Sequence, residues 1–130
     1  MKYLLDTNAV IALLQGDVKL SPQIRKHDPE DFGISSVVAY ELYFGAYKSQ
    51  RRTESLATVD QLALEVLNFD REDARCAGEV RAILAVKGTP IGPYDILVGG
   101  QAVARELTLI TRNIREFSRV PGLMIENWQD

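Results

Sequence analysis

Short apolar runs alternate along the whole chain with longer stretches in which apolar positions recur every three or four residues. That alternation predicts βα units wound around a mostly parallel sheet, an α/β fold with helices flanking the strands. Residues 2–5, 32–35, 107–111 and 123–126 are too short for helices and have breakers such as Gly33, Pro121 and Gly122 in or beside them, which makes them the strand candidates. Helices are expected over about 8–15, 22–27, 37–49, 54–66, 71–86 and 93–105. No repeat, linker or low-complexity segment interrupts the pattern, so residues 1–130 read as one domain.

Two helices carry clear punctuation. Asp70 followed by Arg71, Glu72 and Asp73 reads as an N-cap with acids in the first turn, and Gly88 reads as the C-terminal stop. Between them Cys76, Ala77, Val80, Ile83 and Leu84 share one face, which gives Cys76 a packing role rather than a redox one. Pro93 suits a first helical position, where a missing N–H costs nothing. Gly99 and Gly100 inside the same helix predict the close approach of another backbone.

Composition adds mainly exclusions. With 46% apolar and 25% charged residues the chain can bury one core, and no apolar run approaches the roughly 18 residues of a membrane span. The early carboxylate in Met-Lys-Tyr-Leu-Leu-Asp speaks against a secretory leader, so a cytoplasmic location is expected. A lone cysteine cannot supply an intramolecular disulfide or a thiolate metal cluster. Fifteen Lys plus Arg against 18 Asp plus Glu give a net charge of −3. A polyanion would therefore need local positive charge, from Lys48, Arg51 and Arg52 or from Arg112, Arg115 and Arg119.

Three acids stand out because their surroundings are apolar. Asp6 closes the strand Tyr3-Leu4-Leu5 and is followed by Thr7, Asn8 and an apolar helix, where it can cap the helix or build a site. Glu41 is the only charged residue between Val37 and Tyr47, and its helical neighbours Val37, Val38, Phe44 and Gly45 predict burial on most sides. Asp95 repeats the anomaly within Ile91–Val98. Buried carboxylates must be paired, protonated or bound to a cation. With no His or Cys cluster nearby, three converging acids call for a hard, oxygen-preferring ion such as Mg²⁺, with Mn²⁺ as the alternative. His27, among Lys26, Asp28 and Glu30, reads as an ordinary surface residue.

The segments Leu5-Asp6-Thr7-Asn8, Ser35-Ser36-Val37-Val38 with Glu41-Leu42 and Gly45, Gly88-Thr89-Pro90-Ile91-Gly92-Pro93-Tyr94-Asp95, Thr111-Arg112-Asn113 with Glu116-Phe117, and Arg119-Val120-Pro121-Gly122-Leu123 occur in one order. Together they resemble the PIN-domain ribonucleases, specifically the VapC-type toxins of bacterial toxin–antitoxin pairs. The resemblance implies a Mg²⁺-dependent endoribonuclease, a homodimer and a small VapB-type antitoxin. By position it makes Asp6, Glu41 and Asp95 the metal-site acids and puts Asn113 at the fourth acidic position, where the amide brings no charge. Thr7 is then expected to hold Asp6 through its hydroxyl, Glu116 to share the rim, and Arg112, Arg115 and Arg119 to meet RNA phosphate. The helix around Tyr40, Leu42, Tyr43, Phe44 and Tyr47 carries more aromatic surface than one core contact needs, which suits a protein partner. Two other readings stay open: a non-catalytic RNA- or partner-binding module, and a phosphoacceptor receiver domain, which also sets acids at strand ends.

Overall fold

A computed structural model describes residues 1–130 as a five-stranded parallel sheet flanked by helices. Strands β1 (Tyr3–Leu5), β2 (Phe32–Ser35), β3 (Glu65–Leu67), β4 (Thr108–Ile110) and β5 (Ile125–Glu126) lie in the order β3-β2-β1-β4-β5. Every neighbouring pair is parallel, with Leu4 opposite Gly33 on one side and Leu109 on the other. Leu4, Leu5, Ile34, Leu109 and Ile110 are essentially inaccessible, as expected for central strands covered on both faces. This order also disposes of the receiver reading, because the flavodoxin-like order of those domains is 2-1-3-4-5.

The helices are α1 (Thr7–Leu14), α2 (Leu20–Arg25), α3 (Ser36–Tyr47), α4 (Arg52–Asp60), α5 (Arg71–Lys87), α6 (Pro93–Ala104) and the single turn α7 (Ile114–Phe117). The four expected strands and six expected helices are all present, the strand 32–35 with the expected ends and the others with shifted ones, and α7 is an addition. The exception is the span 54–66, whose helix stops at Asp60 and gives way to β3. Glu65 and Val66 of this edge strand are exposed. A short edge strand need not alternate, and Leu62, three residues after Val59 and packed like it against the core, continues the helical spacing past the end of α4.

Two further expectations need correction. His27 is half-buried, its ring stacked on Trp128 at 5.2 Å and edge-on to Tyr3 at 5.1 Å. Its partners come from β1 and from the C-terminal segment, so its polar sequence neighbours gave no sign of them. Helix α3 is not buried on most sides either: Tyr40, Phe44 and Tyr47 are exposed on its outer face.

The caps around α5 follow the sequence closely. Asp70 accepts from the Asp73 backbone, Asp73 accepts in return from the Asp70 backbone, and Gly88 ends the helix at φ 69°. Asp73 also does more than cap. Its carboxylate is buried and receives Arg105 Nε at 3.2 Å, Arg105 Nη2 at 2.9 Å and Gln101 Nε2 at 3.0 Å, which ties α5 to the far end of α6. Higher along the same seam a Cβ on Gly100 would lie 2.5 Å from Ala77 Cα, so only glycine fits. At Gly99 the nearest atoms would be at 3.6 Å, an ordinary contact, so the expected close approach holds for one glycine of the pair. Gly100→Ala is expected to cost about 1–3 kcal/mol, read as a lower urea midpoint at unchanged slope. An unchanged midpoint would mean that α5 shifts freely.

Candidate active site

The chain leaves β1 toward β2 and β3, then returns to the other side of β1 with β4 and β5. Such a reversal opens a crevice beyond the carboxyl ends of the strands, between β1 and β4. Asp6 follows β1 directly and Thr111 follows β4, so both stand at its floor. A small cleft of about 120 Å³ opens there, lined by Asp6, Thr7, Glu41, Asp95, Val98 and Asn113.

Asp6 serves as cap and wall together. Its Oδ1 accepts the Ala9 N–H at 2.8 Å, starting α1, and its Oδ2 accepts the Thr111 hydroxyl at 2.6 Å. Each oxygen keeps one lone pair free for the cleft. Burial pushes the Asp6 carboxyl above its ordinary pKa; the Thr111 and Ala9 hydrogen bonds oppose this, and the Glu41 charge adds to it. Thr7, expected to hold Asp6, donates instead to Glu41 Oε1 at 2.8 Å. The first residue of a helix points its hydroxyl away from its own cap and toward the neighbouring helix α3. Thr111 takes the expected role, and the sequence offered no sign of it because a threonine closing a strand is commonplace.

Asp95 sits in the first turn of α6 and lines the same cleft as the other two acids. Its carboxyl is pushed up to about 7, first by burial, then by Glu116 alongside it, and then by the Asp6 and Glu41 charges. Glu116 is held below its usual range, chiefly by Asn113, whose Nδ2 donates to Glu116 Oε2 at 2.9 Å. Asn113 in turn donates its backbone N–H to Thr111 Oγ1 at 2.9 Å. Thus Asp6, Thr111, Asn113 and Glu116 form one chain of hydrogen bonds running from the floor of the cleft to its rim.

The arginines stand further out. Arg112 pairs with Asp130 at 3.2 Å, and Arg119 donates to the Pro90 carbonyl at 3.0 Å, bracing the loop that leads into α6. Arg115 and Arg119 both act electrostatically on Glu116, which places them beside the rim.

The donors facing the cleft are carboxylate, amide and hydroxyl oxygens, the set that hard cations prefer. Nowhere do three or more His, Cys, Asp or Glu side chains close into a finished ligand cage. That suits Mg²⁺, which usually takes one or two protein carboxylates and retains several waters. Burial first, and then the neighbouring acids, raise the Asp95 carboxyl, and a bound cation would favour its charged form.

Residues 3–123 match the PIN domain family. The tRNA(fMet)-specific endonuclease VapC of Salmonella typhimurium is 40% identical over 130 residues, covering 98% of each chain, and its Shigella flexneri counterpart is 37% identical over the same share. The chain is a PIN-domain protein of the VapC ribonuclease family. Solved VapC-family structures agree: DNA-bound VapBC from Salmonella typhimurium superposes with a TM-score of 0.93 at 39% identity, covering 98% of both chains. VapBC2 from Rickettsia felis bound to a promoter DNA fragment gives 0.91 at 32%, covering 98% of this chain and 99% of that one. The VapC fold thus accounts for the five-stranded parallel sheet and its flanking helices.

Proposed function

We propose that this VapC-family protein is the toxin of a toxin–antitoxin pair and hydrolyses RNA phosphodiester bonds at the Asp6–Glu41–Asp95 cleft with a bound divalent cation, Mg²⁺ or Mn²⁺. The observation that carries the reading is the convergence of three acids from β1, α3 and α6 on one cleft, with no lysine or arginine among its lining residues. When bound, the cation supplies a lowered pKa for water and neutralises charge on the scissile phosphate. Asp6 and Asp95 would hold it, and Glu41, steadied by the Thr7 hydroxyl, would complete the negative charge. Asn113 lines the cleft while its Nδ2 is held by Glu116, which leaves its amide oxygen available to accept from water.

The VapBC relatives support a small VapB-type antitoxin as the partner. A groove of about 430 Å³ between α1, α3 and α4 is lined by Ile11, Leu14, Leu42 and Val59, with Glu41 in its wall. An amphipathic segment seated there reaches the acidic cleft and can inhibit it. The exposed Phe44 and Tyr47 on α3 suit a protein contact, including a second copy in a homodimer.

Protein stripped with chelator and mixed with cellular RNA should produce discrete new ends when Mg²⁺ or Mn²⁺ is restored, and none when the antitoxin is added first. No ends under any metal would favour a non-catalytic binding module. Thr111→Val should lower cation affinity or cleavage by roughly 10- to 100-fold, because Asp6 loses the hydroxyl that orients it. Unchanged manganese affinity in calorimetry would assign Thr111 to folding alone.

A further inference from the structure

The two residues that precede Glu41 and Asp95 in the chain are both tyrosines, and both rings are out in solvent: Tyr40 is 55% and Tyr94 42% exposed. They come from different helices, α3 and α6, yet their hydroxyls meet at 3.4 Å and their ring centroids lie 5.7 Å apart at a tilt of 53°. The pair therefore bridges the two helices that carry two of the three acids. Each tyrosine is the chain neighbour of an acid that lines the cleft, Glu41 for Tyr40 and Asp95 for Tyr94.

Phe44 and Tyr47 continue the α3 stripe away from this point, and Lys48 lies over the Phe44 ring at 5.0 Å. Of the exposed aromatics on α3, only Tyr40 pairs with an aromatic ring of another helix. The two rings lie side by side across the helices, and both residues remain largely exposed. Large exposed aromatic surface of this kind marks a binding site.

The charge distribution says what kind of ligand it meets. A net charge of −3 gives little long-range attraction for a polyanion. Of the three arginines near the cleft, Arg119 is bound to the Pro90 carbonyl and Arg112 pairs at the surface with Asp130, which leaves Arg115 as the one cation with no protein partner. Where phosphate contacts are sparse, stacking of bases on aromatic rings becomes the larger source of affinity, and it works on any base because every base has a π-face. Bases inside a helix are already stacked and cannot offer that face, so the nucleotide must be unpaired.

We propose that Tyr40 and Tyr94 form a stacking seat for an unpaired nucleobase adjacent to the scissile phosphate, and so help determine which RNA positions the cleft accepts. The inference rests on the ribonuclease reading and deepens it. The seat positions RNA and takes no part in bond breaking, so its loss should appear in KM rather than in kcat.

The test uses an RNA oligonucleotide that the purified protein cleaves, carrying 2-aminopurine or an abasic nucleotide on either side of the cut. Tyr40→Ala and Tyr94→Ala should each raise KM by roughly 5- to 150-fold with little change in kcat, and Tyr40→Phe and Tyr94→Phe should retain the low KM. An abasic nucleotide at the seated position should raise the KM of the parent protein and add nothing in Tyr94→Ala. In chelator, where nothing is cut, 2-aminopurine fluorescence should be quenched by the parent protein and far less by the alanine variants. Cleavage with KM unchanged in both alanine variants would overturn the seat and leave the ribonuclease reading standing. Quenching that depends on the tyrosines, without cleavage under any metal, would preserve the seat and sink the ribonuclease reading. Alanine variants that lose self-association in sedimentation but keep the parent's response to the abasic nucleotide would assign the rings to a second copy of the chain and overturn the proposal.

Discussion

Asp6→Asn and Asp95→Asn are each expected to lower RNA cleavage by more than about 100-fold while the protein stays folded. Both changes preserve size and shape and remove one acidic group from a cleft lined by three of them. Cation binding suffers because an amide oxygen is a weaker ligand than a carboxylate for a hard ion. Folding does not suffer in the same way, because Asp95 already resists ionisation, first through its burial and then through Glu116 and the Asp6 and Glu41 charges. The two effects have opposite signs, which separates them cleanly. Thermal melts in chelator should show Asp95→Asn at least as stable as the parent. In Asp6→Asn a retained side-chain oxygen can still accept the Ala9 N–H that starts α1. Parental cleavage by either variant would remove that residue from the metal site, and a collapsed melt would recast it as structural.

The second large effect lies far from the cleft. Arg105→Ala should destabilise the fold by about 3 kcal/mol, because it strips the buried Asp73 carboxylate of its only cationic partner. Gln101 and the Asp70 N–H still donate to Asp73, which keeps the loss at the lower end of what breaking a buried pair usually costs. Burial pushes Asp73 upward, but Arg105, the Asp70 N–H and Gln101 outweigh it, so its folded pKa is depressed. A depressed carboxyl contributes stability that is present above its unfolded pKa near ~4 and lost as the pH falls through the folded value. The gap between parent and variant should therefore be widest near pH ~7 and narrow below pH ~4 in urea melts. A gap constant across that range would assign the loss to packing of the arginine stem.

What the sequence showed and what it hid differ in range along the chain. Asp6, Glu41 and Asp95 were legible because a charge inside an apolar segment is anomalous whatever it later contacts. Asp70, Gly88 and Pro93 were legible because caps act on their immediate neighbours. Thr111 was hidden because its partner Asp6 lies 105 residues away, and the Asp73–Arg105 pair because 32 residues separate its members. His27 misled for the same reason: its local neighbours are polar, but its stacking partner is Trp128. The edge strand β3 carries little alternation to read, since two of its three residues face solvent. The architecture and the acids were thus local signals, and the hydrogen bonds that aim the acids were not.

The central claim is that Asp6, Glu41 and Asp95 together hold a divalent cation at the carboxyl end of β1. It is tested most directly by anomalous diffraction from crystals of the protein soaked in Mn²⁺, collected on either side of the manganese absorption edge. The account predicts a manganese peak between the Asp6 and Asp95 carboxylates, completed by waters and lost in Asp6→Asn. Manganese bound elsewhere, or an empty cleft in crystals whose dissolved protein cleaves RNA in the same Mn²⁺ buffer, would contradict it.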